Sequence, residues 1–344
     1  MKLPRRKFLQ LAGAGALPIL PRLAHAQNYP SRPVRIIVGY AAGGPTDIAG
    51  RLASEILSKR LGQQFAVEDK PGAGSNLATE YVVNAPPDGY TILLVTQSNS
   101  INATLYSNLN FNFMRDIVPI ASLMQAPSLL VVNPSVPITS VPELIAYAKA
   151  NPGKLNMATA GIGSPPQLYG ELFKLLTGVN MATVNYRGGE PGLVDLLAGQ
   201  VQVMFEGITS SIGYVRDGKL RVLGVTSETR AEALPDIPPI AQFVPGYNGV
   251  GWFGLGAPKG TPDAIVETLR KAVNDGIADP DMKAKFAKLG AEPMPTTLAE
   301  FKRIIVDETE KMGQSRSYCR PEGGVSRRPY SMAPVPRIEP FAMQ

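Results

Sequence analysis

Two segments about 120 residues apart repeat one pattern of hydrophobic and polar positions. In Val34–Leu57 and again in Leu155–Leu176, a short apolar run leads into glycine-rich residues and then into apolar positions at helical spacing. The pattern predicts a strand that feeds the N-terminus of a helix through a loop. A helix N-terminus carries unpaired N–H groups and the positive end of the helix dipole, which favour a carboxylate or phosphate. One such unit in each half of the chain predicts two lobes that close on one small anion.

Alternating strand and helix patterns run through both halves of the chain. The first half has predicted strands at Val34–Tyr40, Phe65–Glu68 and Tyr90–Thr96, and predicted helices at Asp47–Leu61 and Leu77–Ala85. The middle has predicted strands at Leu155–Ala160, Thr183–Tyr186, Val201–Glu206 and Arg221–Thr226, and predicted helices at Gln167–Leu176 and Pro191–Ala198. This alternation predicts an α/β fold with parallel or mixed sheets that are covered on both faces.

Two further apolar runs mark where the chain crosses between domains. Leu129–Val132 and Gly251–Ala257 are predicted as crossing strands, and amphipathic helices are predicted after the second of them, at Pro262–Ile277, Asp281–Lys288 and Leu298–Lys311. The chain is longer than one hydrophobic core usually serves. We therefore expect two α/β domains joined by crossing hinge strands, as a hinged, clam-like protein requires. Lobe one is expected to comprise residues 27–124 and 246–312, and lobe two residues 125–245.

The first 26 residues have the pattern of an export signal. A basic start is followed by an apolar stretch from Phe8 to Leu20 and by Ala24-His25-Ala26 as a cleavage site. The apolar stretch is too short to span a membrane, so removal of residues 1–26 and a periplasmic location are expected. The pair Arg5-Arg6 also resembles a twin-arginine motif, and the sequence leaves both export routes open.

Composition narrows the chemistry available to the mature chain. Cleavage removes His25, the single histidine, and the single cysteine, Cys319, lies in a C-terminal segment of unusual composition. Most hydrolase triads and zinc sites are thereby excluded, and we expect no metal, no cofactor and no catalytic residue. The formal net charge of +6 arises at the two ends, since residues 27–312 hold 24 basic and 26 acidic residues. No basic stripe with interleaved aromatic residues is present, which argues against nucleic-acid binding.

The C-terminal segment, residues 313–344, lacks both helical and strand periodicity. It is rich in proline and arginine and poor in aliphatic residues, a composition that favours disorder. A tail unrelated to the rest of the fold and an ordinary flexible extension both fit this composition. In either case we expect the binding function to reside outside it.

Several motifs in a fixed order resemble the tripartite tricarboxylate transporter receptors, the periplasmic Bug proteins. The resemblance covers Tyr29 to about Met312 and rests on YPSRPVRIIVGYAAGGPTDIAGR, KPGAGSNLATEYVVNAPPDGYTILLVT, LNMATAGIGSPPQLYGELF, VNYRGGEPGLVDLLAGQVQVMFEG and GWFGLGAPKGTP. It implies a two-lobed periplasmic binding protein fold of the type II kind, in a receptor that closes on a small carboxylate and delivers it to a membrane permease.

The resemblance also implies which loops meet the ligand. The first binding loop of the family corresponds to Ala42, Gly43, Gly44, Pro45, Thr46 and Asp47, with backbone N–H groups facing a carboxylate and Asp47 expected to cap the helix. The second corresponds to Thr159, Ala160, Gly161, Ile162, Gly163 and Ser164. Many members carry histidine where this chain has Gln167, and a neutral amide offers no charged donor to a ligand.

Positions at the carboxyl ends of strands complete the candidate site, because the ligand crevice of open α/β sheets lies there. These candidates are Ser98, Asn99, Asn102, Tyr186, Gly188, Gly189 and Glu206. Glu206 is a candidate acceptor for an ammonium or hydroxyl group of the ligand, with a solvated surface position as the alternative. Trp252 and Phe253 are expected in the core, with cleft lining as the alternative.

Two function classes remain after these steps. The first is a monomeric solute receptor without chemistry, which the paired glycine-rich loops favour. The second is an exported serine hydrolase using Ser98 or Ser164, but neither serine lies in a GxSxG motif and no histidine remains to activate it. The sequence therefore favours binding without catalysis.

Overall fold

The computed structural model describes residues 29–106 and 108–314, with side chains described as far as residue 310. The predicted export signal, residues 1–26, lies outside the described residues, as does the predicted tail beyond residue 314. Within the described part, no helix is long and apolar enough to cross a bilayer.

The strand and helix alternation predicted from the sequence is confirmed. The first half contains β1 (Val34–Val38), α1 (Pro45–Leu61), β2 (Phe65–Asp69), α2 (Asn76–Val83), β3 (Thr91–Thr96), α3 (Gln97–Leu105), α4 (Phe113–Asp116) and β4 (Ile117–Val132). The middle contains α5 (Val141–Ala150), β5 (Asn156–Thr159), α6 (Pro165–Thr177), β6 (Ala182–Asn185), α7 (Gly189–Leu197), β7 (Val203–Gly207), α8 (Ile208–Arg216) and β8 (Arg221–Val225). The chain returns through β9 (Val250–Pro258), α9 (Asp263–Ile277), α10 (Pro280–Lys288), β10 (Glu292–Pro293) and α11 (Leu298–Gln314).

The strands form a sheet in the order β2-β1-β3-β9-β4-β7-β5-β6, with β8 and β10 also paired to β4. Strand β1 is parallel to both β2 and β3, whereas β9 runs antiparallel to β3 and β4. In the other half, β5 is parallel to β6 and β7. Each half therefore has the parallel core expected of an α/β fold, and the two-lobed fold class is confirmed.

The first crossing strand is much longer than the sequence pattern suggests. The pattern predicts it only at Leu129–Val132, bounded by Pro127, yet β4 begins at Ile117. Proline is tolerated in a strand at a bulge, and the pairing with β9 shifts register next to Pro119. Residues 117–127 of β4 pair with β9, and residues 128–132 pair with β7 and β8, so one strand joins both halves of the sheet.

Thr226 ties the two crossings together. Its N–H donates to the Ser128 carbonyl of β4 at 2.9 Å, and its carbonyl accepts from the N–H of Gly249 just before β9 at 2.9 Å. The Thr226 hydroxyl oxygen also accepts from the N–H of Ser128 at 2.8 Å. The predicted lobe boundaries at residues 125 and 246 lie close to these crossings and stay a prediction.

Helices α3, α4, α5 and α8 are absent from the pattern-based prediction. Helix α3 is the most consequential, because it carries three candidate site residues and has few apolar positions. Its N-terminus is fixed by polar contacts rather than by an apolar stripe: the Thr96 hydroxyl oxygen accepts from Ser98 N–H, and Asn99 Oδ1 accepts from Thr96 N–H. Hydrophobic periodicity cannot detect such a helix.

Candidate functional site

A cavity of about 50 Å³ lies between the two halves of the molecule. Both halves contribute to its wall, which includes residues from the starts of α1, α3, α6, α7 and α8 and from β4 and β9. The candidate residues that line it are Gly44, Thr46, Ser98, Ser164, Gly189 and Glu206. Lining residues that the sequence did not single out as binding residues include Tyr40, Gln97, Tyr169 and Thr209. Trp252 and Phe253, expected mainly in the core, also line it.

Asp47, which lies in the first turn of α1, holds the first loop in place. The N–H of Gly43, a residue with φ of +83°, donates to Asp47 Oδ2 at 2.8 Å. Arg51 pairs with the same carboxylate at 2.9 Å. Asp47 therefore supports the loop, as its expected capping role suggests, and Ala42 and Gly43 lie outside the cavity lining.

The second loop is built in the same way with an amide in place of the carboxylate. The N–H of Gly163, with φ of +78°, donates to Gln167 Oε1 at 2.8 Å. Ser164 is the N-cap of α6, and its Oγ accepts from the N–H of Gln167 at 3.4 Å. The intervening residues, Pro165 and Pro166, have no N–H. Helix α6 therefore offers a ligand fewer amide donors than the repeated sequence pattern suggests.

Thr159, Gly161 and Tyr186 organise the second loop from behind. The Thr159 hydroxyl donates to Asn185 Oδ1 at 2.8 Å and accepts from the N–H of Gly161 at 3.3 Å. A Cβ at Gly161 would lie 2.9 Å from the Tyr186 carbonyl oxygen, so the loop passes close to the end of β6. The Tyr186 hydroxyl is bonded to Asp195 at 2.6 Å. These three residues lie outside the cavity lining.

The three candidates on α3 have different surroundings. Ser98 Oγ and the Tyr40 hydroxyl lie 2.6 Å apart in the cavity wall. Asn99 uses both ends of its amide inside the first half, since Oδ1 accepts from Thr96 and Nδ2 donates to Thr79. Asn102 Nδ2 donates to the Gly74 carbonyl at 2.5 Å, and its Oδ1 lies where a Cβ of Gly163 would be. Asn102 therefore lies at the contact between the two halves.

The N-termini of α1 and α7 face each other across the cavity. Gly44, the N-cap of α1, would place a Cβ 3.8 Å from the backbone nitrogens of Gly189 and Glu190. Gly188, the N-cap of α7, would place a Cβ 3.0 Å from the backbone nitrogen of Ala41. The first turns of both helices have N–H groups without an intrahelical partner. Two positive dipole ends therefore converge from opposite halves of the molecule.

Glu206 is a fully buried carboxyl group in the cavity wall. Its Oε1 accepts from the Ser210 hydroxyl at 2.6 Å, while its Oε2 has no hydrogen-bond partner among the described residues. Burial, reinforced by the charge of Glu190, raises the pKa of Glu206 to about 7, against the opposing effect of the Ser210 hydrogen bond. The solvated surface position considered from the sequence is therefore wrong.

Two more buried polar atoms of the cavity wall lack a partner among the described residues. They are the hydroxyl of Thr209 and the indole nitrogen of Trp252. Buried polar groups are nearly always hydrogen-bonded, so unpaired ones at a cavity point to a ligand or to ordered water. Thr209 carried no sequence signal, because it lies in the unpredicted helix α8. For Trp252, the sequence signal was the pair of adjacent aromatic residues in GWFG.

Among the described residues that line the cavity, none is lysine, arginine or histidine. Arg187, the nearest cation in sequence to Gly188, is exposed and does not line the cavity. No group of three or more metal-ligating residues was found in the described part of the chain. Attraction for an anion must therefore come from helix N-termini and neutral donors.

The chain matches the model of the tripartite tricarboxylate transporter family receptor over residues 49–315. Among solved structures it is similar to R. palustris Rpa4515 with adipate, at 34% identity and a TM-score of 0.82, covering 85% of this chain and 99% of that one. It is also similar to the periplasmic binding protein BugD, at 34% identity and a TM-score of 0.81, covering 83% and 97%. A third similar structure is MatC from Rhodopseudomonas palustris with bound malate, at 31% identity and a TM-score of 0.79, covering 83% and 99%.

Proposed function

The chain belongs to the tripartite tricarboxylate transporter receptor family, and from that membership we propose that it captures a small dicarboxylate in the cavity between its two lobes. The relatives with adipate and with malate support this ligand class. The chain is a solute-binding receptor. The specific proposals are that it works in the periplasm as a monomer and passes its ligand to a membrane permease of the tripartite type.

The observation that carries the proposal is the convergence of α1 and α7. Their N-termini come from opposite lobes and face each other at Gly44 and Gly189. A carboxylate between them would accept hydrogen bonds from both first turns, so it is bound better when the lobes are together than when they are apart. A ligand that binds one conformation better shifts the population toward it. Closure of the two lobes on the ligand follows from this geometry.

We assign direct ligand contact to a subset of the candidate residues. These are the ones that line the cavity with a polar or backbone group: Gly44, Thr46, Ser98, Ser164, Gly189, Glu206, Thr209 and Trp252. The remaining candidates act by shaping the loops and the contact between lobes: Ala42, Gly43, Asp47, Asn99, Asn102, Thr159, Gly161, Gly163, Gln167, Tyr186 and Gly188.

A hydrolytic function is disfavoured by the partners of the two candidate serines. Ser164 Oγ serves as the helix cap of α6, and Ser98 Oγ is bonded to the Tyr40 hydroxyl, a phenol whose pKa is raised by burial. Among the described residues, neither hydroxyl is hydrogen-bonded to a basic group that could take its proton. We therefore propose a receptor that releases its ligand unchanged.

A thermal-shift screen of the purified protein against mono-, di- and tricarboxylates, followed by calorimetry, tests the proposal. A ligand at about a hundred times its dissociation constant adds about 2.7 kcal/mol of stability, which corresponds to about 5 °C in melting temperature. Dicarboxylates are expected to give the largest shifts and to be recovered unchanged. Absence of any shift, or consumption of the ligand, contradicts the proposal.

Substitution of Gly44 tests where the carboxylate binds. Gly44 has an ordinary φ of −78°, so neither asparagine nor aspartate is strained there. Aspartate is also a favourable N-cap, so Gly44→Asp should fold at least as stably as wild type. Its carboxylate would occupy the space between α1 and α7. Repulsion between charges about 4 Å apart at a protein surface is worth roughly 4 kcal/mol, which predicts a loss of affinity of about a hundredfold or more.

Gly44→Asn is the matched control, because asparagine has the size of aspartate and is also a favourable N-cap but carries no charge. It should bind dicarboxylates at least about tenfold more tightly than Gly44→Asp in the same calorimetric titration. Equal affinity of Gly44→Asp and Gly44→Asn would show that the carboxylate binds elsewhere.

A further inference from the structure

Three residues of the cavity wall, Glu206, Thr209 and Trp252, each have a buried polar atom without a hydrogen-bond partner among the described residues, and these atoms limit the chemistry of a ligand beside them. An indole N–H can only donate a hydrogen bond, and a hydroxyl such as that of Thr209 can donate one. The third atom, Glu206 Oε2, donates only when the carboxyl group is neutral. A neutral Glu206 would make all three unpartnered groups donors, which matches a ligand whose polar atoms are carboxylate oxygens. An ionised Glu206 would place one negative oxygen against the ligand.

Burial favours the neutral acid at Glu206 and outweighs the hydrogen bonds of the Ser210 hydroxyl and the Gly207 backbone, which lower its pKa. The charged group that acts on it is another acid, Glu190 of α7, which raises its pKa. On α1, the Asp47 carboxylate is already paired with Arg51. The other titratable groups of the wall, Tyr40 of the β1–α1 segment and Tyr169 of α6, are phenols whose pKa values are raised by burial. Neither β4 nor β9 contributes a charged residue to the wall.

The glycine at the start of α7 brings the ligand site against Glu206. A Cβ at Gly189 would lie 2.7 Å from Glu206 Oε1 and 2.9 Å from Oε2, so any side chain here would collide with the carboxyl group. Because Gly189 is also the first residue of α7, the carboxyl group is adjacent to the helix end where we propose the ligand carboxylate binds. The two carboxyl groups would therefore share one small, buried space.

We propose that Glu206 enters the complex as the neutral acid and donates its O–H to a carboxylate oxygen of the ligand. The proton comes from solvent and stays on Glu206, so the protein takes up a proton on binding when Glu206 is ionised beforehand. This inference rests on the proposed function. It differs from the sequence-based expectation, in which Glu206 accepts from an ammonium or hydroxyl group of the ligand.

The test is calorimetric titration of the full chain with succinate, malate, adipate and aspartate at about pH 6 and about pH 8.5. The ligand carboxylates are ionised over most of this range, so a change in affinity reports on the protein. Since the pKa of Glu206 is about 7, the competent fraction falls roughly thirtyfold between these pH values, and wild-type affinity for the dicarboxylates should fall accordingly. Glu206→Gln carries a permanent neutral donor, and its affinity should be the same at both pH values.

A matched variant separates Glu206 from its acidic neighbour. Glu190→Gln removes the charge that helps to keep Glu206 neutral, so its binding should remain pH-dependent with a midpoint at lower pH than in wild type.

If Glu206→Gln does not fold, titration of wild type in buffers of different ionisation enthalpy at about pH 8 replaces it. Uptake of about one proton per ligand supports the proposal, and no uptake overturns it.

The remaining outcomes separate this inference from the proposed function. Wild-type binding of dicarboxylates with the same affinity at both pH values overturns the inference and leaves the receptor function standing. Binding of aspartate that is lost in Glu206→Gln overturns it in favour of an ionised Glu206 that pairs with an ammonium group. Failure of wild type to bind any of the four probes at either pH contradicts the proposed function itself.

Discussion

Asp47 and Glu206 show how the position of a buried carboxyl group decides what it does. Both are almost fully buried, at 3% and 0% exposure. Asp47 has the Arg51 guanidinium and the Gly43 N–H as partners, so it serves as an anchor for the first loop. Among the described residues, Glu206 has the Ser210 hydroxyl on Oε1 and no hydrogen-bond partner on Oε2, and the residue lines the cavity. The partner atoms, rather than the residue type, make one group structural and the other available to a ligand.

The titration of Glu206 predicts how the stability of the ligand-free protein depends on pH. Its folded-state pKa is raised from 4.5 to about 7, so the folded state holds this proton more tightly than the unfolded state does. The resulting stabilisation is fully present below about pH 4.5 and is lost as the pH rises through 7. Integrated over this range it amounts to roughly 3 kcal/mol.

Urea unfolding at pH 5 and pH 8 checks this prediction, with Glu206→Gln as the reference that lacks the titrating group. The free energy of unfolding of wild type should fall relative to that of the variant as the pH rises. A constant difference between the two proteins would show that Glu206 does not titrate in this range.

At the scale of elements, the two strand–loop–helix units are more alike than their sequences. In each, a glycine at positive φ donates its N–H to a side chain four residues later, at Asp47 in one unit and at Gln167 in the other. This chain has an amide at Gln167 where many family members have histidine, and this difference affects the hydrogen bond that holds the loop in place. It does not remove a donor from the ligand, because this side chain acts as an acceptor within the loop.

This equivalence predicts the effects of substitutions at Gln167. Gln167→Met keeps the length of the side chain but leaves the buried Gly163 N–H without an acceptor, which should lower the free energy of unfolding by about 1–3 kcal/mol. Gln167→Glu keeps the acceptor and adds the negative charge favoured in the first turn of a helix, so it should cost less. Denaturant unfolding of the three proteins measures both effects. Equal losses in the two variants would contradict the loop-supporting role.

At the scale of the whole molecule, a hydrogen bond joins the two lobes beside the cavity. The Tyr169 hydroxyl of α6 donates to Gln97 Oε1 of α3 at 2.8 Å, and the Gln97 amide donates to Glu308 of α11 at 2.7 Å. Gly207 and Pro45 form a second contact, since a Cβ at Gly207 would lie 2.7 Å from the proline ring. Separation of the lobes would break the hydrogen bond between Tyr169 and Gln97, so Tyr169 stabilises the closed form.

Tyr169→Phe should therefore shift the protein toward the open form. Loss of one hydrogen bond of about 1 kcal/mol predicts a roughly fivefold lower ligand affinity. Calorimetry measures the affinity, and small-angle X-ray scattering without ligand should give a larger radius of gyration than wild type.

Tyr247→Phe is the control. The Tyr247 hydroxyl donates to the Tyr169 carbonyl at 3.1 Å, and the Tyr247 ring packs with Phe173 and Phe205 in the core of the second half. This substitution removes a hydrogen bond to the same residue but keeps both the Tyr169 hydroxyl and its acceptor on Gln97. Equal losses of affinity in Tyr169→Phe and Tyr247→Phe would show that the contact between lobes does not control binding.

The sequence by itself determined the elements whose apolar positions are periodic, such as β1, α1 and α9, and it determined the two glycine-rich loops and the fold class. Periodicity reports which face of an element is buried, and glycine reports where the backbone needs positive φ. Polar helices such as α3 have no such periodicity, because their ends are fixed by side-chain contacts. The extent of β4 was also hidden from the sequence pattern, because the strand continues through Pro119, which lies next to a register shift, and through Pro127.

Only the tertiary structure decided which polar groups face the ligand cavity and which are used inside a loop. Asn99 and Gln167 look as available in the sequence as Ser98, yet their amides are bonded within their own lobes. Thr209 becomes a binding candidate, and the candidates Glu206 and Trp252 gain support, because folding buries all three beside a cavity and leaves one polar atom of each without a partner among the described residues. Hydrogen-bond satisfaction depends on groups that are distant in the chain, so a one-dimensional pattern does not contain it.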